Sequence, residues 1–470
     1  MNRWSVVLVP VEPVSIGQGL AWANVQTTAP YIPGSSWRGA LARALLAAEG
    51  VSVGSHWAGR SLPPELQGVW DRLFFHEQAP RYGFLYPVGS AQASWVAAGR
   101  VWAFAPPLSA RSCKYHPGYK DQAGERGSPG STGHGVADLV LRALREFLEG
   151  PERQKAGGAS VAPDRRKLLC PVRHERMERF KKLSVMAWEE PAGATFRFAS
   201  AAPPMRYLTR VGIDRSTSTA SESLLYSLQV MEPAGHVFVG NLRATDAQLQ
   251  ELMSRAARIP AEQERTVLRV KVRVGAARAR GLGLAWIVIR RAEEEMGSLQ
   301  ERLDSFQPRR LVGAGTGEVV RLGPVMDEAH LYFSLTLRSP AIVRSPQGVP
   351  TTEVSPGVLE AYGFTVPSGL EWIRQASFVD PEVVSGWSLA WGLPKPTTLA
   401  LAAGSVLTYR APARERDAVL SLLEELEERG LGERVREGYG EVQVCFPFHR
   451  QLDYDLQQTG DSTLAREEAV

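Results

Sequence analysis

The feature that most limits how this chain can fold is a glycine pattern that occurs twice. Residues 275–283 read GAARARGLG and residues 432–440 read GERVREGYG, both Gly-x5-Gly-x-Gly. Gly275, Gly281 and Gly283 correspond to Gly432, Gly438 and Gly440. Each spacer holds two arginines, Arg278 and Arg280 in the first and Arg434 and Arg436 in the second. A strand-like run follows each loop, LAWIVI or EVQVCF. Upstream, PAGHVFVGNLRA corresponds to AAGSVLTYRAP, and AHLYFSLTLRSPAIV from Ala329 mirrors the opening RWSVVLVPVEPVSI. Similar segments recurring in the same order mark an internal repeat. The chain therefore reads as two copies of one strand–helix–strand–strand–helix–strand plan, an α+β fold.

Local patterns fill in that plan. RWSVVLVPVEPV alternates and is rich in β-branched residues, as a strand requires. YIPGSSWRGALARALL runs a rigid turn into an amphipathic helix opened by Ser35 or Ser36, with Leu41, Leu45 and Leu46 on one face. LLYSLQVM, HVFVGNLRA, TVLRVKVRV and LGLAWIVIRR are strand-like, and TDAQLQELMSRAARI is a helix with a Thr/Asp cap. Residues 50–110 look irregular. Residues 111–182 read as a large insertion in the first copy, two Gly/Pro-rich flanks around a helix ADLVLRALREFLEG. The expected division is a first domain over 1–291, a linker over 292–327, a second domain over 328–450 and an acidic tail over 451–470.

Composition narrows the class. With 470 residues, 44% hydrophobic and 22% charged, the chain has ample material for a buried core. The net charge of +4 is modest, but residues 165–182 carry eight Lys/Arg against two Glu, so the surface is polarised. The three cysteines make no disulfide scaffold. No run approaches the roughly 20 apolar residues of a membrane span. A cytoplasmic protein without a membrane partner is expected.

Glycine permits positive φ and close approach of another backbone. A loop with three glycines can turn successive N–H groups toward an anion. Paired arginines add charge and planar faces for phosphates or bases. The plain alternative is a tight connection with solvated arginines; repetition with paired arginines in both copies favours the anion reading. A nucleotide-binding P-loop or dinucleotide fingerprint would open a helix, whereas a strand follows both loops. GAGTG at 313–317 lacks the lysine of a P-loop. Arg38 adds a puzzle: it stands in the first turn of its helix, where the dipole favours anions.

These stretches, YIPGSSWRGALA with GAARARGLG and GERVREGYG, resemble the RAMP superfamily of CRISPR-associated proteins. The likeness is greatest to the two-domain RAMP subunit of type III-D effector complexes, and PPLSARSCKY, RVGIDRSTSTASESLLYS and VSGWSLAWGLPKP extend it over most of the chain. The resemblance implies two tandem ferredoxin-like (RRM-like) domains. It implies a noncatalytic guide-RNA-binding and assembly subunit that caps the 5′ repeat-derived handle of the crRNA in antiviral defence. Its partners would be crRNA, target RNA indirectly, backbone RAMP subunits and the large signature subunit. Carried onto this sequence, the RNA-binding residues are Gly34, Ser35, Ser36 and Arg38; Arg210, Arg215 and Thr217; and the two loops, Gly275, Arg278, Arg280, Gly281 and Gly283 with Gly432, Arg434, Arg436, Gly438 and Gly440. No aromatic RNP strand is present, so loops and phosphate contacts would carry binding.

Two further chemistries deserve weighing. Cys113-x2-His116 and Cys170-x3-His174 flank the insertion and offer a tetrahedral structural zinc site made of Cys113, His116, Cys170 and His174; unrelated thiols are the alternative. RNA cleavage needs a general acid and base, or a metal-binding aspartate. The eight histidines form no such pairing, and Asp214 in GIDRST reads more naturally as a turn residue. An endoribonuclease acting on guide precursor or target is the rival function, and a protein-only scaffold is a third.

Overall fold

The computed structural model describes residues 1–17, 24–51, 62–120, 133–155, 168–170, 172, 174–189, 195–213, 216, 219–256, 266–292, 296–312, 321–388 and 393–457. In the first half, strand β1 (Asn2–Pro10) leads to helix α1 (Gly34–Ala48), then to the short strand β2 (Tyr86–Gly89). Strand β3 (His236–Ala244), helix α2 (Asp246–Ala256) and strands β4 (Thr266–Arg273) and β5 (Leu284–Arg291) complete it. The sheet runs β4-β5-β1-β3-β2, every pairing antiparallel. In the second half, β6 (His330–Leu337), α3 (Pro356–Ala361), β7 (Glu371–Trp372), β8 (Val406–Pro412), α4 (Arg416–Arg429) and β9 (Val442–Val444) form a sheet in the order β9-β6-β8-β7. Leaving aside the extra edge strand β4, both sheets place their strands last–first–third–second.

Sequence patterning explains the elements. The even-numbered residues Trp4, Val6 and Leu8 of β1 are buried with Leu41 and Leu45 of α1 and with Leu268, Val270 and Val272 of β4. Alternation on a strand puts such residues on one face, and the helix covers it. In the second half Leu335 and Leu337 meet Leu422, Leu423 and Leu426 of α4 in the same way. The α2 start is a reciprocal cap: Gln248 N donates to Thr245 Oγ1 at 3.2 Å and Thr245 N to Gln248 Oε1 at 2.9 Å. The α1 start differs from expectation. Its cap residue is Pro33, with no side-chain cap bond, so Ser35 and Ser36 stand inside the first turn.

Each half also carries a long hairpin between its second and third sheet strands. In the first it is Met205–Ile213 paired with Ala220–Met231; in the second, Pro381–Ser388 paired with Leu393–Leu401. Both expose apolar side chains: Tyr207, Ile213 and Leu225 on one, Val383, Trp387 and Leu393 on the other.

Segments expected to be loose are built in. Residues 62–104 hold a helix (Pro64–Trp70), a π-helical turn (Asp71–Phe75) and short strands. Val101–Phe104 pairs with Leu183–Glu189 and brings the ends of the 111–182 stretch together. The helix of that stretch, Val140–Lys155, buries Val140, Leu141 and Leu144 in the core of the second half. The expected linker contains helix Leu299–Phe306, whose Leu303 and Phe306 join the same core and whose buried Arg302 pairs with Glu427 at 2.7 Å. Within the expected tail, Asp453 and Asp455 accept from Arg145 at 2.6 and 2.7 Å. Burial pushes the Asp453 carboxyl up to about 6 against the pull of Arg145. Among the described residues no helix is long and apolar enough to cross a membrane.

Candidate nucleic-acid interface

The two glycine loops have one backbone. Gly283 N donates to Pro13 O and Gly440 N to Pro340 O, at 2.9 and 2.8 Å. Ala276 N donates to Ser15 O and Glu433 N to Ile342 O, both at 2.8 Å. Inside each loop a single 3-10 turn forms, with Arg280 N donating to Ala277 O and Glu437 N to Arg434 O. The residue opening each turn has positive φ, 52° at Ala277 and 58° at Arg434. The glycines are needed for contact as well as for φ. A Cβ on Gly283 would lie 2.0 Å from Val274 O, and one on Gly440 1.9 Å from Leu431 O. Each loop is thus stitched to the chain just after the first strand of its own half.

This match sets the register, and in it the arginines do not coincide. Arg278 stands opposite Val435 and Arg280 opposite Glu437, while Arg434 and Arg436 stand opposite Ala277 and Ala279. The two loops therefore share a scaffold and differ in charge.

The first loop faces solvent. Arg280 is exposed and lies over the Tyr226 ring, 5.6 Å from its centroid, with a hydrogen bond from its guanidinium to the Tyr226 hydroxyl. Arg210 Nη2 donates to the Arg280 carbonyl at 3.1 Å. Leu282 is buried against Leu228 and Val230 and seats the loop on the first hairpin. Burial, then the nearby Arg43, lowers the pKa of Arg278. Among the described residues no carboxylate pairs with Arg43, Arg210, Arg278 or Arg280. This leaves four guanidinium groups of one sign around one loop.

The second loop is neutralised and covered. Glu437 binds Lys395 at 2.6 Å and Arg434 at 2.6 Å, with Arg38 at 3.9 Å. Burial would raise the Glu437 carboxyl; Lys395 and Arg434 outweigh it and hold the carboxyl below its ordinary value. The start of α1 presses on this loop: a Cβ on Gly34 would lie 1.7 Å from Tyr82 O and 2.4 Å from Glu437 O. Arg436 donates to the carbonyls of Phe75 and His76, and Tyr439 packs edge-on to Phe84 at 5.3 Å. The joint explains Arg38. Its guanidinium donates to the Phe74 carbonyl, lies 5.8 Å from the Phe75 ring centroid and 6.0 Å from that of Tyr82, and faces Glu437. Because the helix begins at Gly34, Arg38 falls in its second turn and not, as expected, in its first, and the anion it faces is supplied by the other half of the chain.

Of the expected RNA-binding residues, the structure gathers Arg210, Gly275, Arg278, Arg280, Gly281 and Gly283 at the first loop. It gathers Gly34, Arg38, Gly432, Arg434, Arg436, Gly438 and Gly440 at the joint, with Ser35 and Ser36 half-buried beside it. Arg215 and Thr217, like Asp214, lie outside the described residues. Tyr226 and Arg43 escaped the sequence reading, because neither lies in a glycine loop. The expected metal ligands are divided: Cys113 and Cys170 come together, His116 lies close by, and His174 is exposed at the turn with φ 56°. His134 takes the place expected for His174 in the group with the two thiols.

Two antiparallel sheets of one strand order, each with a glycine loop of one backbone, define a duplicated α+β protein in which the second loop meets the other half and the first presents a basic surface. Residues 314–444, which span most of the second half and its loop, match the family of the CRISPR-associated protein (Cas_Cmr3). Over that stretch the match bears out the likeness to CRISPR-associated proteins drawn from the sequence. No curated protein matches the chain. Among solved structures it is similar to a chain of the type III-B Cmr-beta complex bound to cognate target RNA and AMPPnP, at 14% identity over 86% of both chains with a TM-score of 0.37. It is also similar to a chain of a type IV-B CRISPR complex, at 16% identity over 67% of this chain and 97% of that one, with a TM-score of 0.23. At these scores the likeness is distant and adds nothing to the family match.

Proposed function

We propose that the protein is a noncatalytic guide-RNA-binding and assembly subunit of a type III CRISPR effector complex, most like the two-domain RAMP subunit of type III-D. In this reading the two sheets are ferredoxin-like RAMP units, and the first loop holds the backbone of the crRNA at its 5′ handle. Other effector subunits and crRNA are the partners, with target RNA reached through the guide. One observation carries the proposal. The exposed loop 275–283 gathers Arg43, Arg210, Arg278 and Arg280 with no carboxylate paired to them among the described residues, beside a hairpin whose loop-facing side offers Tyr226. Clustered guanidinium groups near aromatic faces suit a single-stranded phosphate backbone. The second loop has a different task, because its carboxylate already occupies the cations around it.

Two of the eight histidines are withdrawn from solvent: His449 is fully buried between Thr336 and Asp138, and His236 is buried with its pKa lowered by desolvation. The test uses the complex purified with its bound RNA. R278A/R280A should lose handle-containing RNA in a salt-dependent way, and labelled repeat or target RNA should stay uncut by the native protein. Specific cleavage abolished by Asp214→Ala would favour the nuclease. Undiminished RNA with all four loop arginines replaced would favour the protein-only scaffold.

A further inference from the structure

Away from both loops, three separated pieces of the chain converge on a small cluster. Strand Arg111–Cys113 pairs on one side with Val136–Ala137 and on the other with Met177–Arg179. His134 N donates to His116 O at 3.0 Å, so the two histidines are cross-strand neighbours and their rings stack at 4.2 Å. A tight loop, with His174 N donating to Cys170 O and Cys170 N to Glu175 O, turns Cys170 and Glu175 toward the same spot. Both thiols are buried, and His134 and Glu175 are only 11% and 25% exposed.

We propose that Cys113, His134, Cys170 and Glu175 bind a zinc ion. Donor identity supports it: two sulfurs, an imidazole nitrogen and a carboxylate oxygen are all zinc ligands. Spacing supports it too. Zinc–sulfur and zinc–nitrogen bonds of about 2.3 and 2.0 Å at a tetrahedral angle put sulfur and nitrogen about 3.5 Å apart. Cys170 Sγ and His134 Nδ1 are 3.5 Å apart. Glu175 Oε2 lies 2.9 Å from Cys113 Sγ and 3.7 Å from His134 Nδ1, and the donor atoms of Cys113, His134 and Cys170 are all within 4.8 Å of one another. His116, stacked on His134, forms with His134 and Glu175 a second group of close donor atoms beside the thiols. A metal here would compensate for a thin apolar cluster, since Cys113 and Cys170 share it with only a few side chains, Leu168, Met177 and Tyr454 among them. It would also fix the loop whose Leu169 backbone exchanges hydrogen bonds with the Tyr454 hydroxyl at 3.3 and 3.2 Å. The zinc thereby pins the inserted segment to the end of the second half. This inference stands independently of RNA binding.

The measurement is elemental analysis of the full chain, purified and dialysed against a mild chelator. About one zinc per chain is expected, falling below about a tenth in H134A and C170S while H174A keeps its full content. Should those variants fail to fold, the native chain loaded with cobalt supplies the test, with the charge-transfer absorption of two cobalt–thiolate bonds expected. The proposal is overturned by native protein with less than about a tenth of an equivalent. It is equally overturned by H174A losing zinc as fully as H134A, by a cobalt spectrum without thiolate bands, or by a Cys113–Cys170 disulfide in place of free thiols.

Discussion

The loops at 275–283 and 432–440 have the same glycines, the same 3-10 turn and the same backbone partners, yet face opposite circumstances. One carries arginine at the position where the other carries glutamate, Arg280 against Glu437. In each half the hairpin answers that residue: Arg210 and Tyr226 meet Arg280, and Lys395 meets Glu437. The residue two places on follows suit, Leu282 packing on its own hairpin and Tyr439 on the other half. A duplicated scaffold has thus kept one copy of the loop open and positive and turned the other into a joint. Side chains at two or three positions decide which, because the backbone is fixed by glycines at positive φ, all of which but Gly281 leave no room for a Cβ.

The comparison can be broken in several ways. The largest effect is expected from Gly34→Ala, whose Cβ would meet two carbonyl oxygens; a loss of about 3 kcal/mol in denaturant unfolding is expected, with the halves separating to limited proteolysis. Glu437→Gln should cost roughly 2 kcal/mol, because it leaves Arg38, Arg434 and Lys395 facing one another in a half-buried place. The same variant should gain some affinity for RNA, as its loop comes to resemble the first. The native joint should also respond to acid. The folded pKa of Glu437 is depressed, so its stabilisation is present above the ordinary carboxylate value and is lost as the pH falls through the depressed one. Thermal melting against pH should show that loss in the native chain and not in Glu437→Gln. The smallest effect belongs to Gly281→Ala. Its Cβ meets open space and only φ 78° opposes it, so about 1 kcal/mol is expected.

Much of this fold was legible. Glycine spacing, two strand alternations and a Thr245 cap were enough to pair the halves, since such signals depend on local sequence alone. The joint was not legible, because nothing local to GERVREGYG tells that Gly438 approaches Tyr82 O or that Glu437 reaches Lys395. Counting two arginines per loop concealed that they occupy different positions on the turn. Ser35 and Ser36 suggested a cap by composition, but Pro33 sets the helix entry two to three residues earlier. The metal reading paired each cysteine with its nearest histidine along the chain; His134 is brought in by backbone pairing with His116, eighteen residues away, a relation that short-range spacing does not carry.

The central claim is that only the first loop is an RNA surface. It is tested most directly by measuring crRNA-handle affinity against salt for the native protein, R278A/R280A and R434A/R436A. The first pair should lose at least about tenfold at moderate salt, with the slope of log K against log salt shallower by about 1.4, as expected for two lost phosphate contacts on a single strand. The second pair should lower folding stability while the slope stays that of the native chain. A shallower slope for R434A/R436A with an unchanged one for R278A/R280A would contradict the assignment of the two loops.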